Sequence, residues 1–351
     1  MVTTAVITSP LDAAVAERII ASAPDGIEVV YRPDLVPPPR YTCDHTGDPS
    51  FRRTPEQEAE WREILRRASI TWGFPEVAKG ESLADVTPDL KWVQGTSAGV
   101  GARVRALGMM EGAGRDIAIT TASGTHARPL AEYVFGALLQ HVKHMPQLAE
   151  MQGAHRWERF TPDSLDGRHM VLIGPGRIGR EVARLARAFS VTVSALARDS
   201  DPARAGELGV DEVFTRDGLI DQLGRADIVV LSAPQTPETE NIMDAAAFAA
   251  LRSGTLFVNI GRGALVDEDA LLAALNDGRV ALAVLDVFRT EPLPDDSPFW
   301  DHPNVRVSPH SVANDTREYD RIADLFIANL PRFAAGRLDE LTPIFDRDKG
   351  Y

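Results

Sequence analysis

Six residues, Gly174-Pro-Gly-Arg-Ile-Gly179, constrain the fold of this chain more than any other segment, because of what flanks them. A short apolar strand, His169-Met-Val-Leu-Ile173, runs into them, and an amphipathic helical pattern from Arg180 to Phe189 leads out. A second strand, Val191 to Leu196, follows. Strand, glycine turn, helix and strand form the unit that cradles a dinucleotide. Gly174 permits the tight turn, Gly176 lets backbone approach a pyrophosphate, and Gly179 lets helix pack on strand. The helix N-terminus then turns its N–H groups and positive dipole end toward the phosphates. Pro175 lacks an N–H, but the groups that would face phosphate belong to Arg177 and Ile178.

The fingerprint begins at residue 174 of 351, so another domain is expected before it. A chain 44% hydrophobic and 25% charged reads as a soluble globular protein of about two domains. No apolar run approaches the ~18 residues that span a bilayer, so no membrane association is expected. The first residues, Met1 to Ser9, read as a strand rather than a signal peptide. The single cysteine, Cys43, excludes an intramolecular disulfide and a cage of several thiolates; no metal is expected, and the cytoplasm is the expected location. A net charge of −14 argues against nucleic acid as a partner.

The fold class expected is α/β with two domains. Strand signals at Ala5–Thr8, Ile27–Tyr31, Ser69–Trp72, Leu90–Gln94 and Asp116–Thr120 alternate with helices, which implies a parallel, flavodoxin-like α/β domain over 1–122. Residues 33–53 are Pro-rich and polar and read as a long surface loop, in which Tyr41–His45 is solvated. Thr54-Pro-Glu-Gln57 predicts a helix start with threonine as N-cap. A single long helix is predicted from Ala127 to Leu148 as the connector, with His126, His141, His144 and His155 as ordinary polar positions. Seven strands near 171, 191, 211, 228, 256, 281 and 305 predict a Rossmann-type doubly wound parallel sheet over 123–310. A helix over about 315–335 belongs to a C-terminal segment, 311–351, expected to pack back on the first domain.

Ligands bind outside the carboxyl ends of the strands in such a sheet. Four turns there carry rare side chains: Ser232–Thr236, Asn259-Ile-Gly-Arg-Gly263, Asp286-Val-Phe-Arg-Thr-Glu-Pro292 and Ser308-Pro-His310. Reduction of a 2-keto acid places negative charge on a carbonyl oxygen beside a carboxylate. A guanidinium fork suits both, which makes Arg262 the candidate clamp. Protonating the new alkoxide near neutral pH suits histidine, hence His310. A carboxylate beside that imidazole, Glu291, fixes its orientation and stabilises its cation. Taken singly, each has an ordinary explanation as a surface ion pair or a turn; their joint order behind the glycine fingerprint carries the case.

Gly174–Gly179, Asn259–Asp267, Asp286-Val-Phe288 with Glu291-Pro-Leu-Pro294, and Asn304–His310 together resemble the D-isomer-specific 2-hydroxyacid dehydrogenases, from about Leu90 onward. The resemblance implies that Arg262, Glu291 and His310 are the catalytic set. It implies that backbone N–H groups of the Gly95–Val100 turn, at Ser97, Ala98 and Gly99, hold the substrate carboxylate, an anion nest that is physically reasonable for a glycine-containing turn. It places Asp286 near the nicotinamide carboxamide, with Pro234, Thr236 and Ile260 among the cofactor contacts, and puts the substrate cleft between the domains. Trp72 and Phe74 could wall the side-chain pocket, or equally pack in a core. The likeness also implies a homodimer.

After the second cofactor strand the chain reads Leu196-Ala-Arg-Asp-Ser200, without the acidic residue that takes a ribose 2′-OH. Arg198 and Ser200 suit a 2′-phosphate, so NADP(H) is favoured; NAD(H) stays open because a shift of one residue brings in Asp199. The expected activity is hydride transfer between NAD(P)H and a small 2-keto or D-2-hydroxy acid, in the reductive direction. The alternative is a dinucleotide-sensing interaction protein of corepressor type; oxidation of phosphite or formate ranks below both.

Overall fold

The computed structural model describes residues 2–199, 201–348 and 350. Two compact units are present, Met1–His126 with Asn314–Tyr351 and Ala127–Ala313.

Five strands build the sheet of the first unit: β1 (Thr3–Ile7), β2 (Ile27–Val30), β3 (Ala68–Trp72), β4 (Trp92–Gln94) and β5 (Ala118–Thr120). All pair in parallel in the order β2-β1-β3-β4-β5, the flavodoxin-like arrangement. The helix Pro55–Arg66 starts on a complete capping box: Thr54 Oγ1 accepts the Gln57 N–H at 3.2 Å and Gln57 Oε1 accepts the Thr54 N–H at 2.9 Å. The helix Glu318–Ala334 covers one face of the sheet, burying Tyr319, Ile322, Phe326 and Leu330 against Ala5, Ile7, Trp72 and Trp92. It begins three residues later than the sequence suggests. The tail then crosses the sheet edge, where Thr120 and Ile344 form an antiparallel bridge.

The second unit holds seven parallel strands: β6 (His169–Ile173), β7 (Thr192–Leu196), β8 (Glu212–Phe214), β9 (Ile228–Leu231), β10 (Thr255–Asn259), β11 (Val280–Leu285) and β12 (Val305–Val307). Their order, β12-β11-β10-β9-β6-β7-β8, is the doubly wound pattern, with its switch point between β6 and β9. Both faces are buried, which is why these strands read as continuous apolar runs. Side chains alternate between two cores: Met170, Leu172, Ile228 and Val230 enter one, and Val171, Ile173, Val229 and Leu231 the other.

Two expectations need correction. The connector is two helices, Ala127–Val142 and Met145–Gly153, not one. Pro146 has no N–H for the Val142 carbonyl and its ring would clash there, so the chain turns at His144, with φ of 51°. The loop 33–53 has no helix or strand, as expected, yet it is not simply a solvated surface segment. Leu35, Val36, Cys43 and Asp44 are buried. The Tyr319 hydroxyl donates to the Asp44 carbonyl at 3.1 Å, and His45 reaches Glu318, so tertiary contacts hold the segment down.

Candidate active site

The turn after β6 is built as the glycine fingerprint requires. Gly174 has φ of 101°, and a Cβ there would lie 2.4 Å from the backbone nitrogen of Ala233 on the turn after β9. Gly179 is closed against the carbonyl of Gly174, whereas Gly176 faces open space with nothing within 4 Å of a Cβ position. Gly176 is the N-cap of the helix Arg177–Ala188, so Arg177 and Ile178 form its first turn. A helix start beside an unobstructed glycine is a cradle that fits a pyrophosphate, so the residues present suit a dinucleotide.

Arg198 follows β7 and is exposed; Pro234 and Thr236 lie in the turn after β9. The Glu238 carboxyl is held below its usual range chiefly by the Thr236 hydroxyl, with the Arg198 guanidinium contributing, which puts Arg198 and Thr236 around one group. Asp199 turns to Arg204, at 2.6 Å, and accepts the Asp201 N–H. Ser200 lies outside the described residues. Ile260 is buried at the end of β10.

Register brings the remaining turns together. Asn259 pairs with Leu285 and Leu285 with Val307, so the turns after β10, β11 and β12 leave the sheet side by side. Arg262 is exposed on the first of them, and its Nη1 donates to the Gly261 carbonyl at 2.6 Å. Its guanidinium makes no ion pair among the described residues, unlike an ordinary strand-end arginine. The turn is fixed by Asn259, which accepts the Gly261 N–H and donates to the Arg262 carbonyl, both at 3.0 Å. Gly263 has no alternative: a Cβ there would sit 1.9 Å from the carbonyl carbon of Phe288.

His310 Nδ1 lies 2.8 Å from Glu291 Oε2. The other carboxylate oxygen accepts the Phe288 N–H at 2.9 Å, so Glu291 is anchored before it orients the imidazole. An ionised carboxylate only accepts, so Nδ1 carries a proton and Nε2 is the atom left for proton exchange. His310 itself has φ of 52°, a left-handed conformation that costs a non-glycine residue about 1–2 kcal/mol. Asp286 is buried at the end of β11. Burial pushes its carboxyl above the ordinary range, and hydrogen bonds from Ser308, Ser311 and Val312 oppose that rise. Tyr133, on the helix Ala127–Val142, donates to Ser308 Oγ at 3.3 Å. The sequence held no sign of this Tyr133 contact, since its partner lies 175 residues away.

In the first unit, the turn after β4 exposes Ser97 and Gly99, with Ala98 half-buried. Phe74 packs beside that turn, near Gly95. Trp72 does not wall a pocket: it is fully buried and meets Phe326 edge-on at 5.6 Å, so core packing claims it. His126 is no ordinary polar position either. Its Nε2 and that of His45 both donate to Glu318 Oε1 at 2.9 Å. Burial raises the Glu318 carboxyl, but the bonds from His126 and His45 outweigh it and bring it down to about 2. No helix among the described residues is long and apolar enough to cross a membrane.

Comparison with known proteins places this geometry. The family profile for the D-isomer specific 2-hydroxyacid dehydrogenase, NAD binding domain, matches residues 135–312. D-3-phosphoglycerate dehydrogenase of Mycobacterium tuberculosis is 36% identical over 209 residues, 59% of this chain. The match spans only 39% of that relative's length. Glyoxylate/hydroxypyruvate reductase A of Yersinia enterocolitica is 32% identical over 222 residues, 63% of this chain and 68% of the relative. A solved structure of NADPH-dependent glyoxylate/hydroxypyruvate reductase from Sinorhizobium meliloti, in complex with NADP and sulfate, is similar with a TM-score of 0.73 and 26% identity, covering 99% of this chain and 100% of that one. With a profile matched across half its length and both parallel sheets in place, this chain belongs to the D-isomer specific 2-hydroxyacid dehydrogenase family.

Proposed function

We propose that this chain reduces small 2-keto acids to D-2-hydroxy acids, with NADPH preferred over NADH. The observation that carries the reading is the His310–Glu291 pair, 2.8 Å apart, on turns that leave the sheet in register with that of Arg262. The Yersinia and Sinorhizobium relatives, both named glyoxylate/hydroxypyruvate reductases, support the substrate class. Gly174, Gly176, Gly179 and the helix start at Arg177 and Ile178 would hold the pyrophosphate of the cofactor, with Pro234, Thr236, Ile260 and Asp286 along its length. When bound, the reduced dinucleotide supplies the hydride.

The chain's own residues do the rest. Arg262 grips the substrate carboxylate and polarises the carbonyl, because its planar fork offers several fixed donors without an internal ion pair to break. Glu291 accepts from Nδ1 of His310 and stabilises the imidazolium. Nε2 then donates its proton to the oxygen that becomes the hydroxyl. Ser97, Ala98 and Gly99 are the candidates to receive a substrate anion through backbone N–H groups, and Phe74 to meet its side chain.

The cofactor preference rests on Arg198 and Asp199. Asp199, the acidic residue of the Leu196–Ser200 segment, is engaged by Arg204, while Arg198 supplies positive charge for a 2′-phosphate. NADP in the Sinorhizobium structure supports the same choice. The partner proposed is a second copy of the chain: Trp157 is 95% exposed, with Met145 and Leu148 also exposed.

The test is NADPH and NADH oxidation by purified protein with glyoxylate, hydroxypyruvate, pyruvate and phenylpyruvate, repeated with His310→Ala. Turnover that the substitution abolishes supports the reading. Silence from wild-type protein that still binds NADPH would sink it.

A further inference from the structure

The left-handed conformation of His310 is held from outside the acid–base pair. Its own N–H donates to the Asp286 carbonyl at 2.9 Å. Oδ1 of the same Asp286 accepts the Ser311 N–H at 3.0 Å and the Ser308 hydroxyl at 2.9 Å. Backbone and side chain of one buried residue just after β11 therefore grip both sides of the turn that carries His310. Ser308 has a single hydroxyl hydrogen, and Asp286 takes it, so its oxygen is left to accept from Tyr133 at 3.3 Å. Along the row Tyr133, Ser308, Asp286 each hydroxyl donates to the next residue in one sense. It ends on the residue that sets the backbone of His310.

We propose that Tyr133 and Ser308 are positioning residues for proton transfer, acting on His310 through Asp286. The inference rests on the reading of His310 as the acid–base group. A histidine at φ of 52° relaxes to an ordinary conformation once its restraints loosen, and the imidazole then swings off Glu291. Asp286 is the restraint, and a buried carboxylate stays put only while donors surround it. Ser308 is the only side chain that donates to it among the described residues; the other donors are backbone N–H groups. Tyr133 extends the restraint to a long helix, a stiffer anchor than a turn. Neither side chain needs to touch substrate for this.

The experiment compares Ser308→Ala, Ser308→Thr, Tyr133→Phe and His310→Ala with wild type. Readouts are kcat and KM for hydroxypyruvate, NADPH affinity by fluorescence, and melting temperature. The expected result for Ser308→Ala is a kcat lower by roughly tenfold, with KM and NADPH affinity within about twofold of wild type. Ser308→Thr, which restores the hydroxyl, recovers most of the rate. Tyr133→Phe loses about threefold. Wild-type kcat in Ser308→Ala overturns the proposal, as does a rate loss that Ser308→Thr leaves unrepaired. If His310→Ala turns over at the wild-type rate, the reading of His310 fails instead, whatever Ser308 does.

Discussion

Glu291 Oε2 meets Nδ1 of His310 at 2.8 Å while its other oxygen is tied to the Phe288 N–H. One carboxylate thus joins the turn after β11 to the turn after β12, and it decides which imidazole nitrogen keeps its proton. Glu291→Ala is expected to lower kcat about a hundredfold, and Glu291→Gln about tenfold, because the amide still accepts a hydrogen bond but carries no charge. Steady-state kinetics across pH 5–9 check this. Equal rates in the two variants would separate charge from catalysis.

Arg198→Ala should reduce kcat/KM for NADPH by about 10- to 100-fold and leave NADH within about threefold, since NADPH alone carries the 2′-phosphate that the guanidinium is proposed to meet. Parallel titrations of the two cofactors decide it. An equal loss for both would assign Arg198 to something other than the 2′-position.

Gly263→Ala is expected to destabilise the second unit by about 3 kcal/mol, because its Cβ would fall 1.9 Å from the Phe288 carbonyl carbon and force the turns after β10 and β11 apart. Thermal or denaturant unfolding measures it. Activity should fall further than stability, as Arg262 and Glu291 sit on those two turns.

Glu318 should make the first unit sensitive to acid. Its folded value of about 2 lies below the ordinary 4.5, so the carboxylate contributes stability that is fully present above pH 4.5 and is lost as pH falls toward 2. The difference corresponds to about 3 kcal/mol. The stability gap between wild type and Glu318→Gln should therefore shrink between pH 5 and pH 3 in denaturant unfolding. A gap that stays constant would rule the mechanism out.

Trp157→Glu should shift the molecular mass in solution from dimer to monomer, because it places a charge on the most exposed large apolar side chain among those described. Light scattering coupled to gel filtration reads the outcome. A wild-type monomer would end the proposal of a second copy as partner.

Much of the fold was legible because parallel strands buried on both faces have no choice but to be apolar along their length. Strands such as Ile228–Leu231 and Val280–Leu285 announce themselves. The break at His144 did not, since the apolar spacing of the helix before it carries on past residue 142 and only Pro146 argues otherwise. Trp72 was ambiguous for a different reason. An aromatic at a strand end serves a pocket or a core equally well, and Phe326, far along the chain, settled the matter.

The site divides the same way. Glycine turns, a strand-end arginine and a Pro-His turn are local demands of phosphate, carboxylate and proton chemistry, so the order of residues alone determined Gly174, Arg262, Glu291 and His310 as candidates. The networks that hold side chains in place are not local. His45 and Glu318 are 273 residues apart, and Tyr133 and Ser308 are 175 apart. Hydrogen bonds form over about 3 Å whatever the separation along the chain, so only the folded sheets and helices could decide which polar side chains meet.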